Sequence, residues 1–246
     1  MDFYVKYKTR YQSYIMIFDK FPIKTYGLPR SGTNFLEFML NNNFKLNCMT
    51  LKKGWKHAEI SPIVSWPTVT IIKNPYAWLV SLFNYATSNE RFHRFHIYKN
   101  ITFNDFLNRT YIWDSPNLHG PDSDKVFQIS NNPIVHWNNL NKSWINQSTV
   151  TITYENLMFK TEETLKLLSK KLKIIKSEEI IWPLKELRPG DALRKPAPSK
   201  SNSYHKNEYY KKEKYMSMYD KKSLIYINET LDKEIMQILK YTYAKT

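Results

Sequence analysis

The chain has 246 residues, 42% hydrophobic and 15% aromatic, enough to bury a sizeable core, which excludes disorder throughout. Its formal net charge of +15, from 37 Lys+Arg against 22 Asp+Glu, favours polyanions, phosphorylated ligands or anionic membrane surfaces as partners. Much of that excess is lysine, and beside abundant Asn, Ile and Tyr it reads equally well as a coding bias.

The single cysteine, Cys48, excludes an intramolecular disulfide framework and a multi-cysteine metal cluster. The six histidines include no i, i+4 pair, and His93 and His96 lack a carboxylate at ligand spacing, so no metal site is expected. No apolar run reaches signal-peptide or transmembrane length. The expectation is a soluble protein of the cytoplasm or another intracellular compartment. No Gly/Ser/Pro-rich linker divides the sequence, so residues 1–246 read as one domain.

In chain order, FPIKTYGLP from Phe21 is rich in aromatic and β-branched residues and ends in a Gly-Leu-Pro turn, the pattern of a strand entering a tight loop. Phe35, Leu36, Phe38, Met39 and Leu40 then supply apolar positions at helical spacing, and the helix ends by Asn41–Asn43. A second unit follows, with the strand TVTIIKNP from Thr68 and the helix YAWLVSLFNYA. The third strand is STVTITYENL, followed by the helix TEETLKLLSKKL. Strands alternating with helices predict an α/β domain of the phosphate-loop type, three layers α/β/α around a mostly parallel sheet. Ligands in such sheets lie at the C-terminal strand ends. Residues 87–133 read as short helices and loops, with a turn region at Asp114–Asp124. Residues 180–203, with four of the twelve prolines, read as an extended loop, and 204–246 as C-terminal helices.

The loop between the first strand and helix, GLPRSGTN from Gly27, approaches the nucleotide-binding pattern G-x-x-x-x-G-K-[ST]. Thr33 stands where that pattern has lysine, and Arg30 brings a cation inside the loop. A helix N-terminus offers free backbone N–H groups to a phosphate. Gly27 and Gly32 let the backbone close round it, and Ser31 and Thr33 add hydroxyls. The missing lysine argues against a standard magnesium–ATP geometry. An ordinary helix N-cap after a Gly-Pro turn explains the same residues without a ligand.

The second strand end places Lys73 before Asn-Pro and Ser81 eight residues later. This arrangement resembles the second signature of the PAPS-dependent sulfotransferases, whose basic residue and serine hold the donor's 3′-phosphate. YGLPRSGTNFLEFML looks like the family's first signature, which holds the 5′-phosphosulfate, with Arg30 at the usual Lys or Arg position. TITYENL is similar to the third conserved strand, and Tyr154 matches the tyrosine bordering the adenosine. Together the three motifs span residues 23–157. The resemblance implies PAPS as donor cosubstrate, PAP as product and no required metal.

It also implies a base between the first two signatures. In KKGWKHAEIS, His57 is that candidate, Glu59 the rival and Glu37 a weaker one, with Lys53 or Lys56 as a second cation. Asn34 stands where the family often has Thr. Phe35 matches a ring near adenine and equally suits the core. The basic loop that closes over the donor has partial counterparts in Arg194-Lys195-Pro196 and Arg188-Pro189-Gly190. The implied acceptor is a hydroxyl, here a sugar or small molecule, with no specific nucleic acid partner.

Two other classes compete. Lys195–Lys222 holds eight lysines and five tyrosines against three acidic residues, a composition that can track phosphates and stack bases. A phosphate-loop kinase is the third possibility.

Overall fold

The computed structural model describes residues 20–45, 47–50, 56–57, 59–60, 66–87, 101–109, 112–113, 127–128, 132–183, 198–199 and 207–246. Among them the first four elements are β1 (Lys20–Tyr26), α1 (Thr33–Asn42), β2 (Asn47–Thr50) and β3 (Thr68–Ile72). Next come α2 (Pro75–Ala86), α3 (Phe103–Asn108), β4 (Ile112–Trp113), β5 (Phe127–Gln128), α4 (Pro133–Gln147) and β6 (Val150–Thr153). The last part holds α5 (Tyr154–Phe159), α6 (Thr161–Leu172), β7 (Trp182–Pro183), β8 (Pro198–Ser199), α7 (Asn207–Lys211), α8 (Lys221–Thr230) and α9 (Lys233–Leu239), with a 3-10 turn at Lys214–Met218.

The main sheet is four-stranded and parallel, in the order β2-β1-β3-β6. All five residues of β3 are buried, as expected for a strand covered on both faces. The pleat of β1 shows the two helix layers directly. Thr25 Oγ1 donates to Glu37 of α1 at 2.9 Å, while the ring of the adjacent Tyr26 meets Trp144 of α4 at 6.5 Å. Successive side chains of a strand point to opposite faces, so α1 and α4 cover opposite sides. This is the three-layer α/β/α architecture expected from the alternating pattern.

On the first side, Asn43 ties the end of α1 to the segment after α6, accepting from Ile181 N at 2.6 Å and donating to Ile181 O at 3.0 Å. On the second, Trp78, Trp137 and Trp144 are almost fully buried, each contributing roughly 4–6 kcal/mol of gross transfer free energy.

The chain leaves β1 in one direction toward β2 and in the other toward β3 and β6. That reversal puts a topological switch point between β1 and β3, where open parallel sheets bind ligands beyond their C-terminal strand ends. The residues there are Gly27–Gly32 after β1 and Lys73–Asn74 after β3.

Several elements differ from the sequence expectation: β2 carried none, β7 and β8 pair antiparallel within the stretch read as an extended loop, and two further differences bear on the site. The third strand stops at Thr153, whose side chain accepts from Asn156 N and so caps α5. Tyr154 therefore opens a helix rather than continuing the strand. Helix α4 carried no expectation. Its signals are Asn132, which caps Ile134 N and Val135 N, Pro133 in the first turn, and buried Ile134, Trp137, Asn141 and Trp144 on one face.

Candidate anion-binding site

The loop after β1 is shaped by its own backbone. Gly27 N donates to Lys56 O at 3.1 Å. A side chain at Gly27 would meet Ile71 O at 2.6 Å, so glycine lets the loop lie against β3. Arg30 and Gly32 have φ of 68° and 97°, left-handed backbone that breaks the extended path and turns it into α1. Ser31 is buried, and its hydroxyl donates to Leu28 O at 2.6 Å, so it stiffens the loop from within. Buried Thr33 opens the helix. Trp78 Nε1 donates to Pro29 O at 2.8 Å, fixing the loop to α2.

The two helices at the switch point start differently. Asn74 caps α2 by accepting from Tyr76 N and Ala77 N. The N-cap of α1 is Gly32, which makes no side-chain cap bond, and a helix N-terminus of this kind suits an anion.

Side chains from both signatures meet here. Arg30 Nε lies 3.5 Å from Ser81 Oγ of α2, and its guanidinium stacks 4.9 Å over Tyr85. The two residues that the resemblance sends to opposite ends of one donor are thus neighbours. Lys73 is buried, with Nζ 4.1 Å over the ring of Tyr154, 4.9 Å over that of Tyr210 and 3.1 Å from Tyr210 Oη. The indole of Trp137 donates to Lys73 O at 3.2 Å. The face of Phe35 is occupied by protein, stacked on Trp182 at 6.3 Å and edge-on to Tyr154 at 6.2 Å.

The segment between the signatures packs against the same loop. His57 Nδ1–H donates to Gly27 O, a polarity fixed because a carbonyl only accepts, and this leaves the lone pair on Nε2. Burial, then the adjacent Lys56 charge, lower its pKa from 6.5 to about 3. Lys56 Nζ donates to Asn34 Oδ1 at 2.7 Å and pairs with Glu37 at 3.1 Å. Glu59 is exposed. Arg188, Arg194 and Lys195 lie outside the described residues, as do Lys53 and most of 180–203.

Sequence reasoning missed several groups. Lys24, buried on β1, has its pKa lowered to about 8 by burial, against the opposing effect of Glu37. Glu155 lies under the end of β3, accepting from Asn74 N at 3.1 Å and from Tyr241 Oη at 2.6 Å, and burial raises its pKa. Only its position beside Tyr154 marked it. Tyr210 had one signal, its place in the basic aromatic run.

Among the described residues no group of His, Cys, Asp and Glu could hold a metal, and no helix is long and apolar enough to cross a membrane. No model of a known protein family matches the chain, and no curated protein sequence matches it. Among solved structures, that of mouse sulfotransferase SULT7A1 complexed with PAP is similar, at 14% identity and TM-score 0.48, covering 90% of this chain and 87% of that one. Identity at that level leaves the chemistry to be read from this chain's own side chains.

Proposed function

We propose that the chain is a PAPS-dependent sulfotransferase, moving a sulfuryl group from PAPS to the hydroxyl of a carbohydrate or small-molecule acceptor and leaving PAP. The observation that carries this is the pair of cationic groups at adjacent strand ends of the switch point. Arg30 follows β1 with Ser81 beside it, and Lys73 follows β3 among tyrosines. A donor with two separate anionic groups suits that pair. With Thr33 in place of the loop lysine, magnesium–ATP suits it less well.

Lys73 would hold the 3′-phosphate. Arg30, Thr33 and the N-terminal N–H groups of α1 would hold the 5′ end, where positive charge stabilises a leaving phosphate oxygen. PAPS, when bound, supplies a sulfuryl group on a phosphate leaving group, for in-line transfer to a hydroxyl. His57 would take the acceptor proton at Nε2, a role supported by the bond of Nδ1–H to Gly27 O, which puts the lone pair on the other nitrogen. Its ring is neutral near pH 7. The negative charge of a bound donor opposes the effect of Lys56 and makes the ring more basic. Lys56, paired with Glu37 and Asn34, is the second cation at this end.

Calorimetric titration with PAP and with AMP, both in chelator, tests the proposal. PAP should bind at least about tenfold more tightly, given a charge-assisted contact worth about 1.5–3 kcal/mol. Equal, weak binding would refute it, and tight binding of magnesium–ATP instead would indicate a kinase.

A further inference from the structure

We infer that Tyr210 is a specificity-determining residue for a phosphate held at Lys73, donating its hydroxyl to that phosphate from helix α7. This rests on Lys73 being the 3′-phosphate site of the proposed function.

Lys73 is 4% exposed and Tyr210 8%, and an ammonium group that deep is costly unless its surroundings compensate. Here they include two aromatic faces and one phenol oxygen. The bond at 3.1 Å between Lys73 Nζ and Tyr210 Oη has a fixed polarity. An ammonium only donates, so the phenol oxygen accepts and its own hydrogen points away from the lysine. An anion that contacts the ammonium therefore lies within reach of the phenol, whose O–H is a second group able to donate to it. A ligand without a charged group at that point gains nothing from the pair.

Tyr210 is also held in place. Its ring packs edge-on against Tyr154 at 5.3 Å and Tyr209 at 5.3 Å, and tilted against Tyr215 at 6.3 Å. A hydroxyl fixed this way discriminates between ligands better than one on a free side chain, because little rotamer entropy is lost on binding. Tyr154 in turn stands against Gly32. One contiguous column thus links α7 through Lys73 and Tyr154 to the N-terminus of α1. The basic aromatic run from Lys195 to Lys222, which in sequence suggested nucleic acid, contributes at least one member to this site.

The test is Tyr210→Phe, which keeps the ring and its three aromatic contacts and removes only the hydroxyl. PAP and AMP affinities are measured by calorimetry for wild type and variant, with a thermal melt to confirm that the fold is kept. The expected result is a roughly tenfold weaker affinity for PAP with AMP unchanged, so that the preference for PAP narrows by the same factor. A preference that stays the same, or widens because the hydroxyl had merely competed for Lys73, overturns the role of Tyr210 alone. A wild-type protein without any preference for PAP overturns the donor and the role of Tyr210 together.

Discussion

Replacing Gly32 by alanine places a methyl carbon 2.4 Å from Cδ2 and 2.8 Å from Cε2 of Tyr154. Ordinary carbon contacts need about 3.5 Å or more, so the ring must retreat by roughly 1 Å or the loop must give way. The backbone at φ 97° adds its own penalty, about 1–2 kcal/mol for a residue with a Cβ in left-handed space. Overpacking against a buried ring costs a further 1–3 kcal/mol or so. Together these give a loss of roughly 2–5 kcal/mol, which in a domain of this size is a fall in melting temperature of about 4–20 °C. Urea and thermal unfolding of Gly32→Ala measure it. Tyr154→Ala, alone and combined with Gly32→Ala, separates the causes, because losing the ring relieves the clash and leaves the backbone strain. The double variant should be more stable than the sum of the singles predicts, by about 1–3 kcal/mol. Strict additivity, or a Gly32→Ala protein as stable as wild type, would refute this account of the glycine.

Lys73→Met keeps the length of the buried side chain and removes its charge, so it should narrow the preference for PAP over AMP by roughly tenfold to more than a hundredfold. An unchanged preference by calorimetry would place the 3′-phosphate elsewhere. Acid should destabilise the fold through its histidines. His57 and His136 are lowered by burial to about 3 and about 4, from 6.5. On acidification the unfolded chain takes up these protons first, so the stability both neutral rings contribute above about pH 6.5 is lost as pH falls toward 4, at about 1.4 kcal/mol per pH unit each. Glu155, raised by burial, acts in the opposite sense. The comparison that isolates the effect is therefore between wild type and His136→Gln, whose urea midpoint should fall less steeply between about pH 6.5 and 5. Equal slopes would refute it.

How much of this was legible in sequence depended on how far apart the partners lie. The first strand, loop and helix are local, and their signals were the β-branched run, Gly27 to Gly32 and the apolar stripe of α1. Lys73 and Ser81 were equally plain, being one strand end and the helix after it. The contact between Arg30 and Ser81 joins residues 51 positions apart, and that between Lys73 and Tyr210 joins residues 137 apart. Such pairs leave no periodic trace, because their proximity comes from sheet order and helix docking. The cap at Thr153 was misjudged for another reason. A β-branched run favours a strand, and here one side-chain hydrogen bond to Asn156 N turns the chain into a helix instead. Phe35 was ambiguous in principle, since a ring that packs on Trp182 and one that stacks on a base present the same residue type.

Among the described residues, three tryptophans touch this crevice. Trp78 donates to the carbonyl of Pro29, Trp137 to that of Lys73, and Trp182 lies on Phe35. Indole emission responds to the polarity and charge around the ring, so an anion settling at either strand end changes the field at the chain's own fluorophores. Occupancy of the crevice can then be followed by intrinsic fluorescence, without label or turnover. Replacing Trp78, Trp137 and Trp182 one at a time would show which strand end each ligand reaches first.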